Sequence, residues 1–367
     1  MNKILSPLNE TADHGGNVFA IARALGVPLE ELLDFSASIN PLGPSPGVRD
    51  ALHASYATVH HYPDRDAVAL KEALARHHGL APANIVAANG STELIYLLPR
   101  LVDGCRALII APPFSEYARS MARAGCSCDY FTLDPADGFA LSLPALAERL
   151  KEGYDLLFLA NPGNPTGRLL PLTECQRLLE LCRQNNTFLV LDEAFMDFCE
   201  EGSAKQLAVN REGMVILRSM TKFYAIPGLR LGFAIGAPPL TARLAGLQEP
   251  WSVNTAAQLA GIASLADNAY REQSLHYVAS ERARLFAGLA ALPELKPYPS
   301  AANFLLVEIT RPDLTAPQLY RQLLAQGIII RTCGNFIGLD NRFFRIAVRQ
   351  RQENEQLLAA LAKLLDS

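Results

Sequence analysis

Three segments of the sequence bring together residue types that carbonyl and anion chemistry requires. Asn161-Pro162-Gly163-Asn164-Pro165-Thr166-Gly167 follows one apolar run, Asp192-Glu193-Ala194 closes a second, and Arg218-Ser219-Met220-Thr221-Lys222 leads on to Gly228-Leu229-Arg230. Lysine is ordinarily solvated. Lys222 sits instead among aromatic and aliphatic neighbours, conditions that lower an amine's pKa and make it nucleophilic toward a carbonyl. Ser219, Thr221 and Arg230 add two hydroxyls and a fixed cation, the donors a phosphate group takes. Open α/β sheets bind ligands at the carboxyl ends of their strands. Asp192, at such an end, is therefore either a satisfied cap or the partner of a positively charged ring nitrogen.

A fourth segment, Ala88-Asn89-Gly90-Ser91-Thr92-Glu93, lies between an apolar run and a stretch of helical period. Glycine permits close backbone approach, Ser91 and Thr92 supply hydroxyls, and the free N–H groups of a first helical turn attract an anion. An ordinary N-cap would use the same residues. The sequence contains neither G-x-x-x-x-G-K-[ST] nor a G-x-G-x-x-G between strand and helix, which disfavours the common nucleotide enzymes. Its seven cysteines are odd in number and mostly lie in apolar stretches, and no nearby His completes a zinc set around Cys126-Ser127-Cys128. Reduced thiols and no metal are expected.

The elements that must hold these residues follow from the apolar pattern. Short runs at Ile85–Ala88, Ala107–Ala111, Leu156–Ala160, Phe188–Leu191, Met214–Leu217 and Leu231–Ile235 alternate with helical stretches such as Thr92–Leu101, Glu116–Ala124, Leu143–Leu150 and Leu172–Gln184. That alternation predicts an α/β domain with a mostly parallel sheet buried on both faces. From Leu240 the pattern changes to a helical Thr255–Leu289, strand-like runs at Asn303–Glu308, Ile328–Thr332 and Phe343–Val348, and a last helix, which predicts a smaller α+β domain. The expected division is an N-terminal segment 1–40 packing on the small domain or across the cleft, a large domain 41–245 and a small domain 246–367. With 367 residues, half of them apolar, and a net charge of -4, the chain can bury a large core and offers no attraction to nucleic acid or an anionic membrane. It reads as cytosolic.

In their order and spacing, Asn164-Pro165-Thr166-Gly167, Asp192-Glu193-Ala194 and Ser219-x-Thr221-Lys222 with Gly228-Leu229-Arg230 resemble the fold-type I pyridoxal-phosphate enzymes of the aspartate aminotransferase superfamily. The resemblance covers nearly the whole chain. It implies a large domain with a mostly parallel seven-stranded sheet and a smaller α+β domain. It also implies that Lys222 condenses with the aldehyde of pyridoxal 5'-phosphate, Asp192 pairs with the ring nitrogen, and Asn164 bonds the ring 3-hydroxyl. Ser91, Thr92, Ser219 and Arg230 would bind the cofactor phosphate, and Phe114 would stack on the ring. Tyr62 would reach the phosphate in a neighbouring subunit, which implies a homodimer.

Within the superfamily the chain is similar to histidinol-phosphate aminotransferases and to the threonine-phosphate decarboxylases of cobalamin synthesis. His14-Gly15-Gly16-Asn17, Asp34-Phe35-Ser36-Ala37-Ser38-Ile39-Asn40-Pro41-Leu42-Gly43 and Pro250-Trp251-Ser252-Val253-Asn254 favour the second, as does Phe195, where the aminotransferases usually carry a tyrosine that bonds the ring oxygen. The resemblance implies that Arg331 and Arg345 clamp a phosphorylated amino acid through paired hydrogen bonds. His14 and Asn40 would complete the substrate site from the N-terminal segment, with a buried structural role as the alternative for His14, and Arg349 is a further candidate.

Overall fold

The computed structural model describes residues 14–102 and 106–366. Its main sheet has seven strands, in the spatial order Ile85–Asn89, Leu231–Ile235, Met214–Ser219, Phe188–Asp192, Leu156–Ala160, Arg106–Ala111, Ser127–Thr132. Leu231–Ile235 runs antiparallel to both neighbours, and the other pairings are parallel. The central strands are continuous apolar runs because both faces are covered. With a side-chain period of two, Leu157, Leu189, Leu191 and Ile216 enter one core while Phe158, Val190, Val215 and Leu217 enter another.

The register aligns the chemistry. Ala160 is paired with Asp192, Asp192 with Leu217, and Ser219 with Gly232, so the loops after three strands open at one edge of the sheet. The neighbouring acids Asp192 and Glu193 part company there. Asp192 faces the edge, whereas Glu193 accepts a hydrogen bond from the fully buried Arg218 at 3.1 Å.

A second sheet, entirely antiparallel, has the order Arg331–Thr332, Phe343–Ala347, Phe304–Ile309, Leu295–Pro297. The apolar run expected as one strand at Ile328–Thr332 is divided between two sheets: Ile328-Ile329 pairs in parallel with Leu33-Asp34, and Arg331-Thr332 joins the antiparallel sheet. Ile21, Ala22, Leu32 and Phe35 of the N-terminal segment share a core with Leu305, Leu319 and Ile346. Residues 1–13 of that segment lie outside the described residues.

The helical stretch after residue 255 is two helices, Thr255–Ala266 and Asn268–Ala290, separated by Asp267, whose side chain accepts from the Tyr270 N–H. The first packs on Pro46–Tyr56 and Val68–His78, and the second reaches strand Leu295–Pro297 and helix Arg351–Leu365. We propose that the boundary between the two units lies at the start of that long helix, later than residue 245. Cys128, Cys175, Cys182, Cys199 and Cys333 are free thiols. Cys126 is disulfide-bonded, against the expectation that every thiol is reduced. Cys105 lies outside the described residues.

Candidate active site

A cleft of about 890 Å³ opens where the carboxyl ends of the main sheet meet the second sheet and the N-terminal segment. One end is an anion cradle. Helix Gly90–Leu97 begins there with Ser91 and Thr92, facing Ser219, Thr221 and Arg230. The Ser219 and Thr221 hydroxyls are 2.8 Å apart and both residues are buried. Gly90, at φ +72°, makes room: a Cβ there would lie 2.8 Å from Arg230 Nη2. Gly232 does the same on the sheet side, where a Cβ would stand 2.3 Å from the Ser91 backbone nitrogen. Both glycines let a helix N-terminus, a guanidinium and the sheet edge crowd around one anion.

Lys222, Asp192, Asn164 and Phe114 line the middle of the cleft. Burial, with the Arg230 and Arg345 charges, lowers the Lys222 amine to about 8, while Asp192 opposes the shift. A useful fraction is therefore a neutral nucleophile at neutral pH. Burial pushes the Asp192 carboxyl up; a hydrogen bond donated by Tyr117 Oη at 2.6 Å, another from the Ala194 N–H at 3.0 Å, and the Lys222 charge hold it down. Phe114 immediately precedes helix Ser115–Arg123, and its ring meets the Tyr117 ring edge-on at 5.8 Å.

Arg331 and Arg345 come from adjacent strands in direct register, and both are buried. Arg345 donates to Asn164 Oδ1 and to the Ser36 carbonyl, the latter at 3.0 Å, and its buried Nε has no partner among the described residues. Burial and the nearby Arg331 bring the Arg345 guanidinium down to about 10, still a cation at neutral pH. Arg331 donates to Asn335 Oδ1 at 2.9 Å and lies over the Phe336 ring. His14 reaches the mouth of the cleft, with Nε2 2.8 Å from Glu116 Oε1.

Two residues expected at the substrate lie off the cleft. Asn40 does not line the cleft: its Nδ2 lies 2.8 Å from the Phe223 carbonyl, 3.0 Å from Tyr270 Oη and 2.8 Å from Ser274 Oγ, and its backbone N–H donates to the Lys222 carbonyl. It braces the lysine's segment, which corrects the expectation of a substrate contact. Arg349 turns to Glu353 on the following helix. Tyr62 is 77% exposed and stacks on Trp251 at 4.5 Å, outside this chain's own cleft. Sequence reasoning passed over Glu116 and Tyr117. Their signal was present, since both follow Phe114 within one helical turn, but only the fold shows which groups they meet.

The donors suit pyridoxal phosphate: an anion cradle shaped by two glycines, an amine at one wall, and a buried carboxylate whose protein partners are both hydrogen-bond donors. The aminotransferase class I and II family matches residues 30–361. The chain is 43% identical over 355 residues to a threonine-phosphate decarboxylase of Salmonella typhimurium, covering 96% of each chain. Among solved structures it is similar to an L-threonine-O-3-phosphate decarboxylase from Porphyromonas gingivalis, with a TM-score of 0.79, 27% identity, and coverage of 91% of this chain and 99% of that one. A histidinol-phosphate aminotransferase from Sinorhizobium meliloti, solved with pyridoxal-5'-phosphate, gives a TM-score of 0.85 at 25% identity, covering 100% and 97%.

Proposed function

The chain belongs to the aminotransferase class I and II family, and from that premise we propose that it is a pyridoxal-phosphate enzyme that decarboxylates L-threonine O-3-phosphate to (R)-1-amino-2-propanol O-2-phosphate, a step of cobalamin biosynthesis. Fold likeness does not choose between the two activities, because the TM-score to the aminotransferase is the higher of the two. The observation that carries the choice is the 43% identity to the decarboxylase along 96% of both chains. Phe195 supports it. Buried beside the cleft and edge-on to Phe304 at 4.9 Å, it has no hydroxyl to give a ring oxygen.

Pyridoxal phosphate, when bound, supplies a conjugated cationic ring that accepts the electron pair of a bond broken at the substrate's Cα. The chain's residues do the rest. Ser91, Thr92, Ser219, Thr221 and Arg230 would hold the cofactor phosphate, Asn164 would hold the ring oxygen, and Asp192 would keep a proton at the ring nitrogen. Lys222 would supply the amine that holds the cofactor's aldehyde. Arg331, Arg345 and His14 would bind the substrate's phosphate and carboxylate and so would set the Cα–carboxylate bond perpendicular to the conjugated ring, the orientation that favours its cleavage. Orienting Cα–H there instead would favour transamination. The exposed Tyr62–Trp251 pair supports a homodimer in which Tyr62 serves the partner's cofactor phosphate.

The test is to incubate the holoenzyme with threonine phosphate, with serine phosphate, and with histidinol phosphate plus 2-oxoglutarate. Carbon dioxide from the first and no glutamate from the last is the expected result. Glutamate without gas would transfer the assignment to the aminotransferase. Serine phosphate belongs in the set because one methyl group is worth only about 1–3 kcal/mol of discrimination.

A further inference from the structure

Tyr117 is 1% exposed, its hydroxyl donates to Asp192 Oδ2 at 2.6 Å, and its ring stacks on Phe158 at 5.1 Å with a 17° tilt. The other oxygen of the same carboxylate, Oδ1, accepts from the Ala194 N–H at 3.0 Å. We propose that Tyr117 determines on which side of the Asp192–ring nitrogen hydrogen bond the proton rests, and so acts as a positioning residue for the electron-accepting ring. This rests on reading the cleft as a pyridoxal-phosphate site.

The argument is one of relative basicity. A proton shared between a pyridine nitrogen and a carboxylate settles on the more basic atom. Each hydrogen bond donated to the carboxylate makes it less basic and leaves the proton on nitrogen. Burial works the other way, favouring the neutral acid. Among the described residues, three groups oppose burial at Asp192: the Tyr117 hydroxyl, the Ala194 N–H and the Lys222 charge. Condensation of the Lys222 amine with the aldehyde ends its service as a simple ammonium, which leaves the two donors. Of these, Tyr117 makes the shorter bond.

Its own ionisation does not interfere, since burial and the facing Asp192 push the phenol well above its usual range and it remains a donor. The hydroxyl is also aimed rigidly. Phe158 holds one face of the Tyr117 ring, and Phe114, the residue expected to stack on the cofactor, meets it at 83°. Helix Ser115–Arg123 thus fixes Tyr117 against both the acid and the ring-stacking residue.

The experiment uses pyridoxal phosphate labelled with ¹⁵N in its ring and follows the ¹⁵N shift of the bound cofactor from about pH 6 to about pH 9. Tyr117→Phe keeps the ring stack and removes only the hydroxyl. Its ring ¹⁵N shift should lie nearer that of a neutral pyridine throughout the range, because the shared proton passes to Asp192 within the hydrogen bond, with a cofactor dissociation constant raised about tenfold. Site-specific difluorotyrosine at position 117, a stronger donor, should move the ring ¹⁵N shift toward that of the pyridinium and gives a second reading if Tyr117→Phe folds poorly. Bound cofactor with the same ring ¹⁵N shift in all forms overturns the role of Tyr117. A wild-type protein that takes up no labelled cofactor overturns the cofactor reading itself and the proposal with it.

Discussion

His14 Nε2 lies 2.8 Å from Glu116 Oε1, joining the N-terminal segment to the helix that follows Phe114 across 102 residues of sequence. The same carboxylate takes Arg119 Nη1 at 2.8 Å and Tyr96 Oη at 2.6 Å. With Nε2 facing Glu116, Nδ1 is the ring nitrogen left to present an N–H to a substrate anion. We propose that Glu116 orients His14 toward the substrate.

Glu116→Gln should raise KM for the phosphorylated substrate roughly three- to tenfold while changing kcat by less than about twofold, because the lost interaction serves binding rather than the bond-breaking step. Steady-state kinetics with threonine phosphate checks this. Burial raises the Glu116 carboxyl, but Tyr96, Arg119 and His14 together bring it below the ordinary value of 4.5. A depressed acid stabilises the fold above the unfolded value and loses that contribution as pH falls through the folded one. The variant should accordingly show a shallower acid limb in its unfolding midpoint against pH.

Lys222 gives a second pH signature. Its folded value of about 8 lies below the 10.5 of an ordinary lysine. Capture of pyridoxal phosphate by the apoprotein should therefore accelerate about tenfold per pH unit below 8 and level off above it, in stopped-flow absorbance. The stability slope has the same sign as that of Glu116, because both groups titrate lower in the folded chain than in the unfolded one. Between about 8 and 10.5 the unfolded chain keeps a proton that the folded apoprotein has shed, so stability rises with pH across that window. Lys222→Ala should remove both effects, abolish borohydride trapping of the cofactor, and lower turnover by roughly 10³-fold or more.

The central strands and their chemistry were legible because burial on both faces writes strands such as Leu156–Ala160 and Met214–Ser219 as unbroken apolar runs, and the reactive residues sit directly at their ends. Ser127–Thr132 was not legible as a strand. It is an edge strand, exposed or half-buried throughout, and mixes Ser, Cys, Asp and Tyr. Helix Pro46–Tyr56 escaped for a similar reason, burying only Val48 and so lacking an apolar period. Among site residues, motif position identified Lys222, Asp192 and Arg230. Glu116, Tyr117 and the true partners of Asn40 depend on contacts between distant segments, which no local pattern records.

Gly90→Ala tests the cradle. The residue adopts φ +72°, and the added methyl would stand 2.8 Å from Arg230 Nη2. A left-handed backbone position costs a non-glycine residue about 1–2 kcal/mol, and the guanidinium must also move off the helix N-terminus. The expected result is a cofactor dissociation constant raised at least about tenfold, with a thermal midpoint a few degrees lower. Fluorescence titration of the apoprotein and a melting curve measure the two separately. Retained affinity would mean that Arg230 does not hold the phosphate.

Asn40 separates a bracing role from a binding one. Its amide can donate two hydrogens, and three acceptors surround it: the Phe223 carbonyl, Tyr270 Oη and Ser274 Oγ. Tyr270 gives its own hydrogen to the Gly43 carbonyl at 2.6 Å, so it is available to accept from Asn40. Asn40→Ala would leave these buried groups short of a donor, at a cost of about 1–3 kcal/mol, and would loosen the turn that carries Lys222. Because the side chain does not reach the cleft, KM for threonine phosphate should change by less than about twofold in the folded fraction, while the unfolding midpoint drops. A KM raised by roughly tenfold at an unchanged midpoint would instead return Asn40 to the substrate, and it would require the turn at Pro41 to reorganise when substrate binds.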